Sequence, residues 1–518
     1  MQHQPLDTRP SGSPATASPN RLPAFVPPTT PTTLRDALRD ALLIALLTSP
    51  VWLYFILSAR FYELDDALIY TRYIRNYLDH GQLVYNLGER FNGLTSPLFT
   101  LLSVAAARLY PTLPVSVNLL CGAFLLAASV TLHIAIATAF GRMVALLTIP
   151  MILFSAYFYY CTGMETSLFM FLISLSICLW QRQRWTALAV SLGLLLVTRN
   201  EGVFLALAVA GLYVRQHGFA SLWSRRVLLL PLGLPTLLVM GWNRGYYGQS
   251  RPHTAFAKFG QGLSGFWGDW PWAFLSVGYH VSLVWNNRYW LLLGVLLAVA
   301  VAVVYTRRTS LTQIGLAFLV PYVGVFILLN VPNYHWYYSP FYMFLFAYCG
   351  VALSLLLQKA SQHPKPALRR PLQLTSAAAI AVVVLCFGWH RYQINDQLRS
   401  SIPYKTIGLF LRANTAPSDT VAAAEIGTLG WYSQRTIIDI LGLVTPGNAQ
   451  AIAKRDVQSW LPRYRPNYVV VHQPMASFEA AMQAAEERGD YVEVTGDLPA
   501  GFRVLRRRDT QPVTAAQP

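Results

Sequence analysis

Charge is scarce in this 518-residue chain: Asp, Glu, Lys and Arg make up 12% of it, against about 25% in ordinary soluble domains. Acidic residues are the scarcer kind, 23 against 40 basic ones. Cysteine is nearly absent as well. The five cysteines (Cys121, Cys161, Cys178, Cys349 and Cys386) lie in or beside apolar segments, and none forms a CxxC pair. That excludes a disulfide framework and gives no zinc-site spacing. No P-loop and no Rossmann glycine pattern is present, which removes the usual sequence signs of a nucleotide site. The N-terminal segment lacks the charged start, short apolar core and small-residue cleavage site of a secretory signal.

Hydrophobic residues are what the chain has in abundance, 54% of the total. They fall into runs of about 14 to 25 residues, the length range of spanning helices. The runs are at 41–59, 115–139, 143–160, 165–180, 186–199, 201–215, 227–243, 289–305, 313–330, 337–357 and 374–390. The pattern predicts a polytopic α-helical membrane protein of about eleven spans. The formal net charge of +17 invites a nucleic-acid reading. The arginines, however, sit in short loops between apolar runs: Gln181 to Arg184, Arg215 to Arg226, Arg307-Arg308 and Lys359 to Arg370. This is the positive-inside bias of a membrane protein, so no nucleic-acid partner is expected. Placing these loops in the cytoplasm puts the N-terminus inside. Residues 60–114 and everything after about 391 then fall outside. The run 97–110 is too short to span and is expected to be an interfacial or re-entrant helix. Residues 186–199 and 201–215 are read as two spans rather than one long helix enclosing Arg199 and Glu201.

The expected organisation is a disordered cytoplasmic tail over 1–33, a membrane domain over 34–391 with its first outer loop at 60–114, and a small soluble domain over 392–508. Residues 509–518 form a second disordered tail. In the soluble part, strands are expected at Thr420 to Glu425, Arg435 to Leu441, Tyr468 to His472, Tyr491 to Val494 and Phe502 to Leu505. Helices are expected at 448–463 and 476–488, giving an α/β domain with a largely parallel core.

Polar clusters converge on the outer face. Asp65 and Asp66 open the run Asp65-Asp-Ala-Leu-Ile-Tyr-Thr-Arg-Tyr-Ile-Arg-Asn. Its polar positions Asp65, Arg72 and Asn76 share one helical stripe, as expected of an amphipathic helix lying on the membrane. Further groups on that side are Glu165, the run Thr198-Arg-Asn-Glu-Gly with Arg199 and Glu201, the run Pro252-His-Thr-Ala-Phe-Ala-Lys with His253 and Lys258, and Asn333-Tyr-His-Trp-Tyr-Tyr with His335. Each has a plain structural reading. Glu165 and Glu201 suit helix N-termini, Arg199 can snorkel, and Trp336, Tyr337 and Tyr338 can form an aromatic belt. Taken together they favour a site, because ionisable groups at membrane depth usually face a cavity.

These residues resemble the first outer loop of bacterial GT-C glycosyltransferases, enzymes that use polyprenyl-phosphate sugars. The matching stretches are Asp65 to Asn76, Leu83-Val-Tyr-Asn-Leu-Gly-Glu-Arg, Gly93-Leu-Thr-Ser-Pro-Leu, Gly163-Met-Glu-Thr, Thr198-Arg-Asn-Glu-Gly, Pro252-His-Thr-Ala-Phe-Ala-Lys, Ala424-Glu-Ile-Gly-Thr-Leu-Gly-Trp-Tyr-Ser and Ile438-Asp-Ile-Leu-Gly-Leu-Val-Thr-Pro. They span roughly residues 40–470. The subgroup they are most similar to contains the terminal arabinofuranosyltransferases of actinobacterial cell walls. Relatives usually have Arg-Pro-Glu where this chain has Asn200, and often Pro-Asn-Thr where it has His253.

The resemblance implies transfer of a monosaccharide from a polyprenyl-phosphate carrier to a glycan or lipid-glycan acceptor. The reaction would occur at the periplasmic face of a bacterial plasma membrane. It implies Asp65 as the base with Asp66 as its partner, and Arg72, Arg199 and Lys258 on the lipid phosphate. Glu165, Glu201, His253 and His335 would orient substrate. Some members use a divalent metal, which on this chain would sit at the acidic pair; the residues leave this open, and no other cofactor is implied. A transporter and a ligase or polymerase of lipid-linked glycans are the competing classes. Transporters are built from internal repeats with midplane sites, and no repeat is evident here.

Overall fold

A computed structural model describes residues 33–58, 64–276, 289–362, isolated positions between 365 and 389, and 403–511. The expected tail over 1–33 (Thr33 excepted), the expected last span at 374–390 (isolated positions excepted) and most of the tail over 509–518 lie outside the described residues.

The apolar runs fold as helices. In the membrane part these are α1 (Leu34–Ser58), α2 (Asp65–His80), α3 (Pro97–Leu109), α4 (Val115–Phe140), α5 (Arg142–Phe154), α6 (Ala156–Tyr160), α7 (Thr166–Gln181), α8 (Trp185–Thr198), α9 (Gly202–His217), α10 (Phe219–Ser224) and α11 (Leu229–Tyr247). They continue as α12 (Thr254–Ser264), α13 (Trp272–Leu275), α14 (Tyr289–Thr306), α15 (Ser310–Leu328) and α16 (Ser339–Ser361). Among the described residues, four helical stretches are long and apolar enough to cross a membrane: Val115–Phe140, Arg226–Tyr247, Ser310–Leu328 and His335–Ala360. Several other expected spans are apolar helices of 10–17 residues. α8 and α9 are separate helices, because Arg199 adopts an extended backbone (φ −151°, ψ 137°) between them. α4 packs on α5 and α7, and α11 on α8, around a core of large buried rings that includes Tyr157, Phe169, Phe318 and Phe344.

Local chemistry sets the ends of α2 and α3. α2 stops at Gly81, whose left-handed φ of 69° lets its N–H reach the carbonyls of Asn76 and Tyr77. α3 starts on Ser96, whose Oγ accepts from Phe99 N at 3.3 Å, followed by Pro97 at the first helical position.

The C-terminal domain begins with α17 (Pro403–Asn414) and carries a five-stranded sheet. The strands are β1 (Thr420–Ala423), β2 (Thr436–Asp439), β3 (Tyr468–His472), β4 (Tyr491–Glu493) and β5 (Phe502–Arg507), in the order β2-β1-β3-β5-β4. β1 pairs in parallel with both β2 and β3; β5 runs antiparallel to β3 and β4. The intervening helices are α18 (Gly427–Ser433), α19 (Asn448–Ala453), α20 (Trp460–Tyr464) and α21 (Ala480–Glu487). The single helix expected over 448–463 is broken into α19 and α20 because Arg455 takes a left-handed φ of 58°. One face of the sheet joins the core of the membrane part through Val421, Ile437 and Val444. The other closes its own core on Trp460, Met482 and Leu505.

Candidate active site

The expected polar stripe of α2 faces the C-terminal domain. Asp65 accepts the backbone N–H groups of Gly427 at 2.9 Å and Thr428 at 2.7 Å, at the start of α18. Arg72, two turns further along α2, donates to Gly430 O at 2.6 Å and Arg435 O at 2.7 Å, near the end of α18. It also donates to Tyr85 O at 2.8 Å and Asn86 Oδ1 at 3.1 Å, so every guanidinium nitrogen is engaged. Seven residues of helix rise about 10.5 Å, which is also the length of α18. A carboxylate and a guanidinium seven residues apart therefore meet the two ends of one short helix, with the signs its dipole favours. Asn86 exchanges hydrogen bonds with Ile437 N and O, and Tyr85 Oη donates to Ile426 O at 2.7 Å. The fit is close: a Cβ at Gly427 would stand 1.7 Å from Asp65 O.

Burial pushes the Asp65 carboxyl above its ordinary range. The Thr428 N–H opposes the rise, the Asp66 charge adds to it, and the Gly427 N–H opposes it.

Asp66 turns the other way, into a cavity of about 200 Å³. Glu165, Arg199, Asn200, Glu201 and Lys258 share its wall. Arg199 bridges Glu165 at 2.5 Å and Glu201 at 2.9 Å. Its side chain is 4% exposed, that of Glu165 fully buried and that of Glu201 17% exposed. A cation between two carboxylates offsets part of the cost of burying all three, Glu165 Oε2 remains without a hydrogen-bond partner among the described residues, and the Tyr337 ring centre lies 5.0 Å from the guanidinium carbon. Lys258 sits 3.7 Å above the ring centre of Tyr334 and 5.9 Å from that of Trp336. Among the described residues no carboxylate lies within 4.0 Å of it.

His253 and His335 lie beside the cavity rather than on its wall. His253 stacks on Phe91 with ring centres 4.3 Å apart, and its backbone N–H donates to Asn92 O at 3.0 Å. His335 Nε2 is 3.2 Å from Tyr160 O. Both brace the loops that carry the wall.

The segment Asn92 to Thr95 divides two spaces. Gly93 and Thr95 face the polar cavity, while Asn92 and Leu94 face a groove of about 800 Å³. That alternation is what extended backbone produces. Leu101, Val104, Leu238, Val239 and Trp242 line the groove between α3 and α11, and Arg108 stands on its wall.

The C-terminal domain also reaches the site. Leu443 lies on the cavity wall. Glu425, just after β1, is close enough to Asp65, Asp66 and Lys258 to interact with each, and burial with the two aspartates pushes its carboxyl up to about 8. Sequence reasoning placed Glu425 at a strand end; only the docking of α18 on α2 brings it here. Among the described residues no group of three His, Cys, Asp or Glu side chains converges on a point where a metal ion would bind.

A family model described as "Domain of unknown function (DUF8728)" matches residues 390–514. No curated protein matches the chain. Among solved structures, the chain is similar to ArnT from Cupriavidus metallidurans bound to undecaprenyl phosphate. The TM-score is 0.58 at 13% identity, over 92% of this chain and 99% of that one. It is also similar to the Archaeoglobus fulgidus oligosaccharyltransferase tethered to an acceptor peptide containing the NVT sequon. There the TM-score is 0.51 at 13% identity, over 90% of this chain and 74% of that one. The chain shares the fold of these two proteins.

Proposed function

We propose that this chain is a membrane glycosyltransferase that moves one sugar from a polyprenyl-phosphate carrier to a cell-envelope acceptor at the extracytoplasmic face. The observation that carries the reading is a carboxylate, Asp66, sharing a small cavity with Lys258, a cation that no described carboxylate pairs. About 200 Å³ is below the usual range of ligand pockets, about 300 to 1,000 Å³. That suits one sugar ring and favours a monosaccharide over transfer of a whole glycan. The neighbouring apolar groove between α3 and α11 supports a prenyl chain as the carrier, and the fold, shared with a structure that holds undecaprenyl phosphate, supports the same donor class.

In the transfer, Asp66 takes the proton of the acceptor hydroxyl as its oxygen bonds to the sugar's anomeric carbon. The bond from that carbon to the phosphate oxygen breaks, and the phosphate leaves with the electron pair, met by the point charge of Lys258. Positive charge developing on the ring is faced by the Glu165–Arg199–Glu201 cluster, which carries one net negative charge when both carboxylates are ionised. Asp65 acts indirectly: by holding the N-terminus of α18 it sets the direction of its neighbour Asp66.

The test is release of free polyprenyl phosphate by the purified full chain in lipid nanodiscs, across a panel of polyprenyl-phosphate sugars, with product masses read on added envelope glycan. Transfer that is lost in Asp66→Asn supports the reading. Vectorial uptake without transfer, or transfer indifferent to Asp66, overturns it.

A further inference from the structure

Several polar groups of the C-terminal domain meet beside the cavity, around Glu425 and His472. β1 is flanked by β2 on one side and β3 on the other, all three parallel. The strand order therefore reverses between β1 and β3, and in open α/β sheets ligands bind outside the carboxyl ends of the strands at such a point. Glu425 lies two residues beyond the end of β1, and His472 is the last residue of β3.

These side chains are held in place. Glu479, fully buried, accepts from the backbone N–H of His472 and of Ala476, and its Oε1 is 2.8 Å from His472 Nδ1. The other imidazole nitrogen, Nε2, is 3.1 Å from Tyr404 Oη. Tyr404 and His472 both pack on Phe502, with ring centres 4.8 and 5.3 Å away. Glu425, His472, Tyr404 and Phe502 are each half-buried, so the cluster keeps an open side. The bond to Glu479 raises the affinity of His472 for a proton, and burial with the two aspartates pushes the Glu425 carboxyl up to about 8, which favours its protonated form. A protonated carboxyl both donates and accepts.

A carboxyl, an imidazole, a phenol and an aromatic face are the groups that grip a sugar: hydroxyls are hydrogen-bonded at the edge and the C–H face lies on a ring. Asp65, Asp66 and Glu479 add acidic groups around the spot, Lys258 and His472 are the basic groups facing them, and Arg503 next to Phe502 is held by Glu486 and Glu493. That charge balance disfavours an anionic ligand. The geometry points to an acceptor subsite at the carboxyl ends of β1 and β3, where Glu425 and Tyr404 hydrogen-bond the hydroxyls of a neutral saccharide, His472 holds the Tyr404 hydroxyl in place, and Phe502 covers the sugar face. The inference rests on the glycosyl-transfer reading, since Glu425 neighbours Asp66 and an acceptor seated here offers its hydroxyl to that carboxylate.

Two measurements test it, using Glu425→Gln, His472→Gln and Tyr404→Phe in the full chain. In the transfer assay, each variant raises the acceptor KM by about tenfold, the loss expected for one hydrogen bond in a shielded site. The donor KM stays within about twofold, because these groups do not touch the phosphate. Equal change in both constants, or in neither, overturns the subsite. In the second measurement no donor is present. Neutral oligosaccharides from hydrolysed envelope glycan, titrated into wild type, change the tryptophan fluorescence (Trp267 stacks on Phe478 beside His472), and the His472→Gln response is at least about tenfold weaker. A wild type that does not respond, or that responds only to phosphorylated saccharides, overturns the subsite. Failure to turn over any polyprenyl-phosphate sugar leaves this binding result standing and counts against the donor reading alone.

Discussion

Adjacent residues on a helix point about 100° apart, and at Asp65 and Asp66 that angle separates two jobs. Asp65 spends both oxygens on backbone N–H groups of the C-terminal domain, while Asp66 faces the cavity. Asp66→Asn should therefore lower kcat by about 10² to 10⁴, the range for loss of a general base, with little change in donor KM. Lys258→Ala should instead raise donor KM by about tenfold or more. Steady-state kinetics on the purified variants separates the two; matching defects would assign both residues to one role. A pH effect belongs at this scale too. The Glu425 carboxyl is raised from 4.5 to about 8 by burial, then by Asp65 and Asp66. Between those values the folded state binds more protons than the unfolded one, so this group's contribution to stability falls as pH rises through that window and is constant above it. Thermal melting of Glu425→Gln should show a flatter decline from about pH 5 to 8 than wild type. Parallel curves would place Glu425 in water.

Among the elements, α2 and α18 carry the union of the two parts. Asp65 and Arg72 satisfy opposite ends of α18, and Arg75 reaches the Trp431 ring at 4.2 Å. Arg72→Met removes four hydrogen bonds and leaves the carbonyls of Gly430 and Arg435 without this buried donor. The cost should be about 3 kcal/mol or more. Hydrogen exchange over residues 427–437 should speed up in that variant while α4 and α7 remain protected. Unchanged protection would show that the docking rests on apolar contact alone. Within the sheet, buried Asp439 accepts from Leu441 N at 2.8 Å and Val444 N at 2.9 Å, and also from Leu443 N. It shapes the turn that delivers Leu443 to the cavity. Asp439→Ala should destabilise the C-terminal domain by about 2–3 kcal/mol, read from the denaturant midpoint of domain fluorescence.

For the whole molecule, the site is shared between the two parts. The part before residue 402 supplies Asp66, Glu165, Arg199, Glu201 and Lys258, and the C-terminal domain supplies Leu443 and Glu425. A chain ending at residue 402 would expose the polar stripe of α2 and lose the partner that fixes Asp65. It should insert in the membrane yet transfer sugar at least about 10²-fold more slowly, in line with loss of base positioning. Retention of full activity would make the domain an appendage.

The apolar runs and their basic loops were enough to mark a polytopic helical protein, because burial in lipid demands a composition that no soluble fold shares. The alternating strand and helix signals after residue 403 were legible for the same kind of reason: strand and turn chemistry is local. The break at Arg199 was expected because one long helix would have put the basic loop at 215–226 outside, and the chain does form two helices there. The orientation of the α2 stripe was not legible. Helical periodicity says which residues share a face; it does not say whether water, lipid or another domain covers it. Nor does any local signal join Asp65 to Gly427 or Glu425 to Asp66, since these pairs are set by packing between segments some 360 residues apart. Tertiary structure alone decided which of two adjacent carboxylates faces the cavity, which cations are already paired, and that a strand end of the distant domain stands at the site.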